Sequence, residues 1–186
     1  MYYGAIKKND IANGEGIRTS LFVSGCRNRC KNCFNPETWS FTYGEEFTRG
    51  VAEEIFASVD YPFINGITVL GGEPMEPENQ KELLPFLREF KEKFPKKTVW
   101  LYTGNLYEEL TAGVGKFPKC IEETEELLSL VDILVDGRFE EEKKSLGIIF
   151  RGSTNQRIID MNKTREQGSI VIWDGCKNDK HYEKRT

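Results

Sequence analysis

The sequence predicts an α/β fold in which parallel strands build an incomplete (βα) barrel. Three observations carry this. Apolar runs that read as strands alternate with stretches of helical periodicity, the pattern of βαβ units. Each apolar run stops at small or polar residues, as strand ends do. The length of 186 residues falls short of the roughly 250 that a closed eight-unit barrel takes, which leaves about five or six strands.

In chain order, Leu21-Phe22-Val23 runs into Ser24-Gly25-Cys26. Phe47, Val51, Ile55 and Val59 then recur at helical spacing. Ile67 to Leu70 ends at Gly71-Gly72-Glu73-Pro74, and Leu83, Leu87, Phe90 and Phe94 mark a second helix, which Pro85 should kink. Thr98 to Tyr102 ends at Thr103-Gly104, a weaker helix covers about 122–130, and Ile133 to Val135 ends at Asp136-Gly137. Working residues of such folds sit at the carboxyl ends of the strands, and every unusual motif here does. The chain reads as one domain over 1–177 with a polar, disordered tail over 178–186.

Composition narrows the function classes. The first residues lack the apolar core of a secretory signal, and no apolar run approaches the roughly 20 residues of a membrane span, so a soluble, cytoplasmic protein is expected. Net charge is −4, with Lys and Arg interleaved among Glu rather than massed in a stripe. That argues against duplex nucleic acid as a partner and for small molecules or proteins.

Five cysteines make poor disulfide arithmetic, since three crowd into Cys26-x3-Cys30-x2-Cys33 while Cys120 and Cys176 stand apart. Four-iron clusters usually take four thiolates, so three would leave one iron open to a substrate. The alternative is a zinc site completed by Cys120, Cys176 or His181. Gly71-Gly72-Glu73-Pro74 offers close backbone approach to a ligand and a carboxylate to a cation, or is an ordinary strand-end turn. Arg27, Arg29 and Lys31 are solvated loop charges or a docking patch for an acidic protein. Thr103, Gly104 and Asp136 stand where they could line a cleft, although Asp136 could equally cap a turn. The polar stretch 151–157 has no role that the residues alone define.

The Cx3CxxC triad after the first strand resembles the signature of radical S-adenosylmethionine (SAM) enzymes. Further segments resemble those of the anaerobic ribonucleoside-triphosphate reductase activating proteins: Asn13-Gly14-Glu15-Gly16-Ile17-Arg18, Cys33-Phe34-Asn35-Pro36-Glu37-Thr38-Trp39, Ile67 to Pro74, Trp100 to Gly104, Leu134 to Phe139 and Arg151 to Gln156. They occur in order over about residues 10–160. The resemblance implies a radical SAM type of barrel and a [4Fe-4S] cluster held by Cys26, Cys30 and Cys33. It implies a SAM site at Gly71, Gly72 and Glu73 for the amino group, at Asn32, Cys33 and Phe34 for the adenine, and along the cleft at Thr103 and Asp136. The implied activity is reductive cleavage of SAM to a 5'-deoxyadenosyl radical that takes a hydrogen from a glycine of the reductase. The implied electron donor is a flavodoxin or ferredoxin, and no side chain beyond the cluster ligands is needed for catalysis. Asn32 departs from the superfamily, which often has an aromatic there, and Glu15 replaces a usual proline. Other readings are an activator of a different glycyl radical enzyme such as pyruvate formate-lyase, a small-molecule radical SAM enzyme, or a zinc-binding interaction module. Tyr102-Thr103-Gly104 and 151–156 favour the reductase activator.

Overall fold

The computed structural model describes residues 1–175. The expected tail, Cys176 and His181 lie outside the described residues. One mixed sheet of seven strands organises the chain. Its strands are β1 (Tyr2–Asp10), β2 (Ile17–Val23), β3 (Glu45–Glu46), β4 (Ile64–Gly71), β5 (Thr98–Tyr102), β6 (Ile133–Asp136) and β7 (Arg157–Asp160). Five helices accompany them: α1 (Arg49–Val59), α2 (Pro77–Lys93), α3 (Tyr107–Leu110), α4 (Glu123–Ser129) and α5 (Met161–Gln167). Among the described residues no helix is long and apolar enough to cross a membrane.

The strand order is β3-β1-β2-β4-β5-β6-β7. The four strands read from apolar runs, β2, β4, β5 and β6, pair parallel in the middle of the sheet. The expectation of parallel strands stops there, because β1 with β2, β1 with β3 and β6 with β7 are antiparallel. Connection chemistry explains the difference. Residues 11–16 are too few for a parallel crossover, so β1 and β2 form a hairpin. The β6–β7 connection contains no α-helix, only a 3-10 turn at Glu141–Lys143, and it returns antiparallel.

Alternation along the strands divides the interior in two. Leu21, Val23, Ile67, Val69, Val99, Leu101, Leu134 and Ile159 face a large core with α1, α2, α4 and α5. Trp100, Ile133, Val135 and Ile158 face the other side, where Phe150, Ile172 and Trp173 pack on them. The helices thus cover one face and leave the opposite face to loops and a cavity. Pro85 does not interrupt α2, which runs unbroken across it. The proline and Lys81, whose carbonyl it leaves without a helical donor, both lie on the exposed side, where solvent reaches that carbonyl.

Arg18 fastens the amino-terminal ends of the parallel strands. It is 1% exposed, and its donors meet neutral oxygens. Nε donates to Thr68 Oγ1 at 2.8 Å, Nη1 to Glu15 O at 3.1 Å and Thr98 Oγ1 at 3.0 Å, and Nη2 to Ile67 O at 2.6 Å and Thr98 O at 2.8 Å. Burial pulls its pKa down to about 10. The guanidinium also lies 5.6 Å from the Trp100 ring. Gly14 (φ +129°) completes the layer, since a Cβ there would stand 2.9 Å from both Arg18 and Trp100. Arg18→Met preserves bulk but leaves the carbonyls of Ile67 and Thr98 without these donors, so urea unfolding should show a loss of at least about 2 kcal/mol. Parental stability would mean the guanidinium does not tie these strands together.

Candidate functional site

The chain leaves β2 through a loop that folds back on the 3-10 turn Pro36–Trp39. Gly25 N donates to Thr38 O at 2.8 Å and Cys26 N to Trp39 O at 3.3 Å. Gly25 is required there, because at φ +94° a Cβ would stand 2.4 Å from the Phe41 ring. Left-handed backbone at Arg29 (φ 47°) and Asn32 (φ 54°) turns the chain twice between the cysteines. The thiols are thereby brought beside backbone donors. Burial pushes the Cys26 thiol up to about 11, opposed by the N–H groups of Asn28 and Arg29. Cys30 is raised by burial and then by Cys33, against the N–H of Phe139. Cys33 Sγ accepts from Asn35 N at 3.4 Å.

Cys26, Cys30 and Cys33 line a cavity of about 460 Å³ together with Gly71-Gly72 and Thr103-Gly104. Among the described residues no three His, Cys, Asp or Glu side chains are arranged to hold a metal ion; the thiols surround a volume rather than a point. Two donors of the wall, Trp39 Nε1 and Tyr102 OH, are buried with no hydrogen-bond partner. Such groups are costly unless a ligand or water accepts from them. Three free thiols on one cavity, with Asn35 N donating to Cys33 Sγ, fit an iron-sulfur cluster. Cys120 lies elsewhere, on a separate cavity of about 440 Å³, with its thiol directed at the carbonyls of Glu109 (3.1 Å) and Leu110 (3.2 Å).

The other residues singled out by sequence divide into wall and support. Phe34, Gly71, Gly72 and Thr103 belong to the wall, and Asn32 is an exposed turn residue that does not. Phe34 rests on Phe139 at 5.0 Å between ring centroids, with Gly152 against both, Lys144 over the ring and Lys31 paired to Glu142 at 3.3 Å. Gly71 and Gly72 are close to protein backbone: Cβ atoms there would stand 2.7 Å from Val23 O and 2.8 Å from Gly25 O. The glycine pair therefore lets β4 press directly on the cysteine loop, sealed by Gly72 N to Val23 O at 2.7 Å. Asp136 is fully buried and serves the scaffold, accepting from Tyr107 N at 2.8 Å at the start of α3 and from the Arg157 fork.

Glu73 is also fully buried, and its carboxylate has four donors. Oε1 accepts from Met75 N (3.0 Å) and Thr103 Oγ1 (2.7 Å), Oε2 from Asn28 Nδ2 (2.7 Å) and Gly104 N (2.9 Å). Beside it lies a second buried acid, Glu76, at 1% exposure, which accepts from Arg27 N, Arg27 Nη1 and Lys119 Nζ. Asn28, Glu76 and Lys119 were not visible as site residues in the sequence. Glu76 follows Glu73 by one helical turn, which is a weak signal, and Lys119 has none. The basic patch is smaller than expected, because Arg27 pairs with Glu76 and Glu78 and stacks on Phe41, and Lys31 pairs with Glu142. Arg29 makes no ion pair among the described residues.

Residues 12–159 match the family described as 4Fe-4S single cluster domain. A fold with a cysteine loop at the carboxyl end of a parallel sheet, matched over that span, defines an iron-sulfur protein of the single-cluster class. Narrower relationships follow from curated relatives. The chain is 37% identical over 160 residues to the anaerobic ribonucleoside-triphosphate reductase-activating protein of Pasteurella multocida, covering 85% of this chain and 96% of that one. It is 34% identical to that of Enterobacteria phage T4 over 85% and 93%, and 34% identical to that of Escherichia coli K12 over 79% and 90%. The chain belongs to the family of anaerobic ribonucleoside-triphosphate reductase-activating proteins. A 4Fe-4S family displaces the zinc module as an account of the cysteine triad.

Glu73→Gln keeps shape but turns an amide N–H₂ toward two donors. Because a charged hydrogen bond is worth about 1.5–3 kcal/mol, metal-free protein should lose at least that much stability in denaturant unfolding. A loss below about 0.5 kcal/mol, the scale of an ordinary surface substitution, would show that the carboxylate does not bind these loops together.

Proposed function

We propose that this chain is a radical SAM activating enzyme that generates a glycyl radical on anaerobic ribonucleoside-triphosphate reductase. The observation that carries the reading is the convergence of three thiols, each beside a backbone N–H, on one cavity shared with the ends of β4 and β5. The relatives, which are reductase-activating proteins, support the target. When bound, the cluster and SAM supply the electron and the 5'-deoxyadenosyl radical by which a glycine loses a hydrogen atom.

The residues supply the rest. Cys26, Cys30 and Cys33 hold the cluster, with Asn35 N donating to Cys33 Sγ. Gly71-Gly72 and Thr103-Gly104 offer backbone groups to the methionine end of SAM, with Phe34 a flat apolar surface at the adenine end. Glu73, with every lone pair already engaged, acts first as the brace that fixes Gly104 and Asn28 in the wall. Asn32 contributes its turn, and Asp136 holds α3 and β7 behind the wall. Phe22, Leu70 and Phe150 line the cavity further in and exclude water from it. The sheet, bare of helices on this face, serves as the incomplete (βα) barrel around the reaction. A flavodoxin- or ferredoxin-like protein is the electron donor, with Arg29 the loop cation free to meet it.

The test mixes anaerobic protein, SAM, reductant and the reductase and follows the glycyl radical by electron paramagnetic resonance. The radical should appear with the parent and be lost with Ala at Cys26, Cys30 or Cys33. Cys120→Ala should keep about four irons per chain and full SAM cleavage, because its thiol serves α3 instead. Iron lost from a folded Cys120→Ala protein, or no radical from iron-loaded parent, would overturn the reading.

A further inference from the structure

Lys119 has no place in the chemistry above, yet its position is determined from both ends. Its main-chain carbonyl accepts from Gln80 Nε2 at 2.7 Å. Gln80 is fully buried on α2 and is itself fixed by Met75 O and by the Thr124 hydroxyl of α4. Its ammonium, on a side chain 10% exposed, reaches under the cysteine loop. There it donates to Asn28 Oδ1 at 2.8 Å and Glu76 Oε1 at 3.0 Å, and stands 3.9 Å from Glu73 Oε2. A flexible four-carbon side chain is a costly way to bury a charge that merely balances an acid, since Arg27 already pairs with Glu76.

The contact with Asn28 distinguishes this lysine. An amide can turn either way, and the lysine fixes which way: Oδ1 faces the ammonium, which aims Nδ2 at Glu73 Oε2. Asn28 lies two residues after Cys26 in the same turn, and both line the cavity. Holding the Asn28 side chain between Lys119 and Glu73 therefore holds the turn whose backbone N–H groups lie nearest the Cys26 sulfur. Hydrogen bonds to sulfur and nearby charge are among the protein levers on an iron-sulfur reduction potential, and donors to sulfur and added positive charge both favour the more negative, reduced form.

We propose that Lys119 is a positioning residue that acts through Asn28 to hold the Cys26 turn and so keeps the cluster's reduction potential high enough for its donor. The proposal rests on the cluster reading above. The step concerned is uptake of one electron by the cluster, supplied in the assay by dithionite, with no bond made or broken.

Iron-loaded parent, Lys119→Met, Asn28→Ala and the double variant are titrated with dithionite while the reduced cluster is followed by electron paramagnetic resonance. Lys119→Met should move the midpoint to more negative potential by at least tenfold in the reduction equilibrium, about 59 mV for one electron. Asn28→Ala keeps every buried charge and should move it in the same direction. The double variant should move it no further than the larger single change, as expected of two residues acting through one contact. An unchanged midpoint in either single variant, or additive shifts, would overturn the proposal. If Lys119→Met does not fold by circular dichroism, Lys119→Met/Glu76→Gln, which removes a carboxylate with the cation, carries the same comparison. Failure of the cluster reading shows separately, as parent protein that takes up no iron.

Discussion

A carboxylate without solvent access has to find donors for its lone pairs within the protein, and Glu73 finds four on three different segments. Met75 N belongs to its own turn, Asn28 to the cysteine loop, and Thr103 and Gly104 to the end of β5. None of these can be withdrawn cheaply, because an ion left short of partners in the interior costs several kcal/mol. The cysteine loop cannot loosen without exposing the carboxylate, and β5 cannot shift without taking a hydroxyl and an N–H from it. Glu76, Arg27 and Lys119 extend the same logic one layer out, with two fully buried acids facing two cations. The site is thus assembled as a unit around a negative charge.

Legibility in the sequence followed burial. β2, β4, β5 and β6 are buried almost throughout and each contains a short apolar run, and α1 and α2 each turn one clear stripe to the core. β1 is half exposed and ends in Lys7-Lys8-Asn9-Asp10, so it lacked the apolar signature and escaped notice. β7 has only two buried residues, Ile158 and Ile159, inside a stretch whose polar neighbours read as loop. Those two strands carry the antiparallel pairings, which is why the sequence suggested a uniformly parallel sheet.

The candidate site was legible where chemistry is local. Three cysteines within eight residues announce themselves, whereas the Lys119 contact with Asn28 spans 91 positions and leaves no periodicity. The glycine pair was read as room for a ligand; it lines the cavity and also makes room for the backbone of the cysteine loop. Asp136 looked like a cleft residue because it ends a strand, but Arg157, 21 residues on, and the start of α3 claim its oxygens. Charge counts along a loop were the least informative sign, since Arg27 and Lys31 are neutralised by acids 49 and 111 positions away.

The meeting of Phe34 with Phe139 joins loops that leave the sheet from β2 and β6, on either side of the cavity. A ring pair of this kind is worth about 0.5–1.5 kcal/mol. The accompanying Lys31–Glu142 pair is exposed and screened by salt. The rim of the cavity is thus fastened by contacts that solvent reaches, Phe34 being 60% exposed, whereas the carboxylates that fasten its floor are sealed from water.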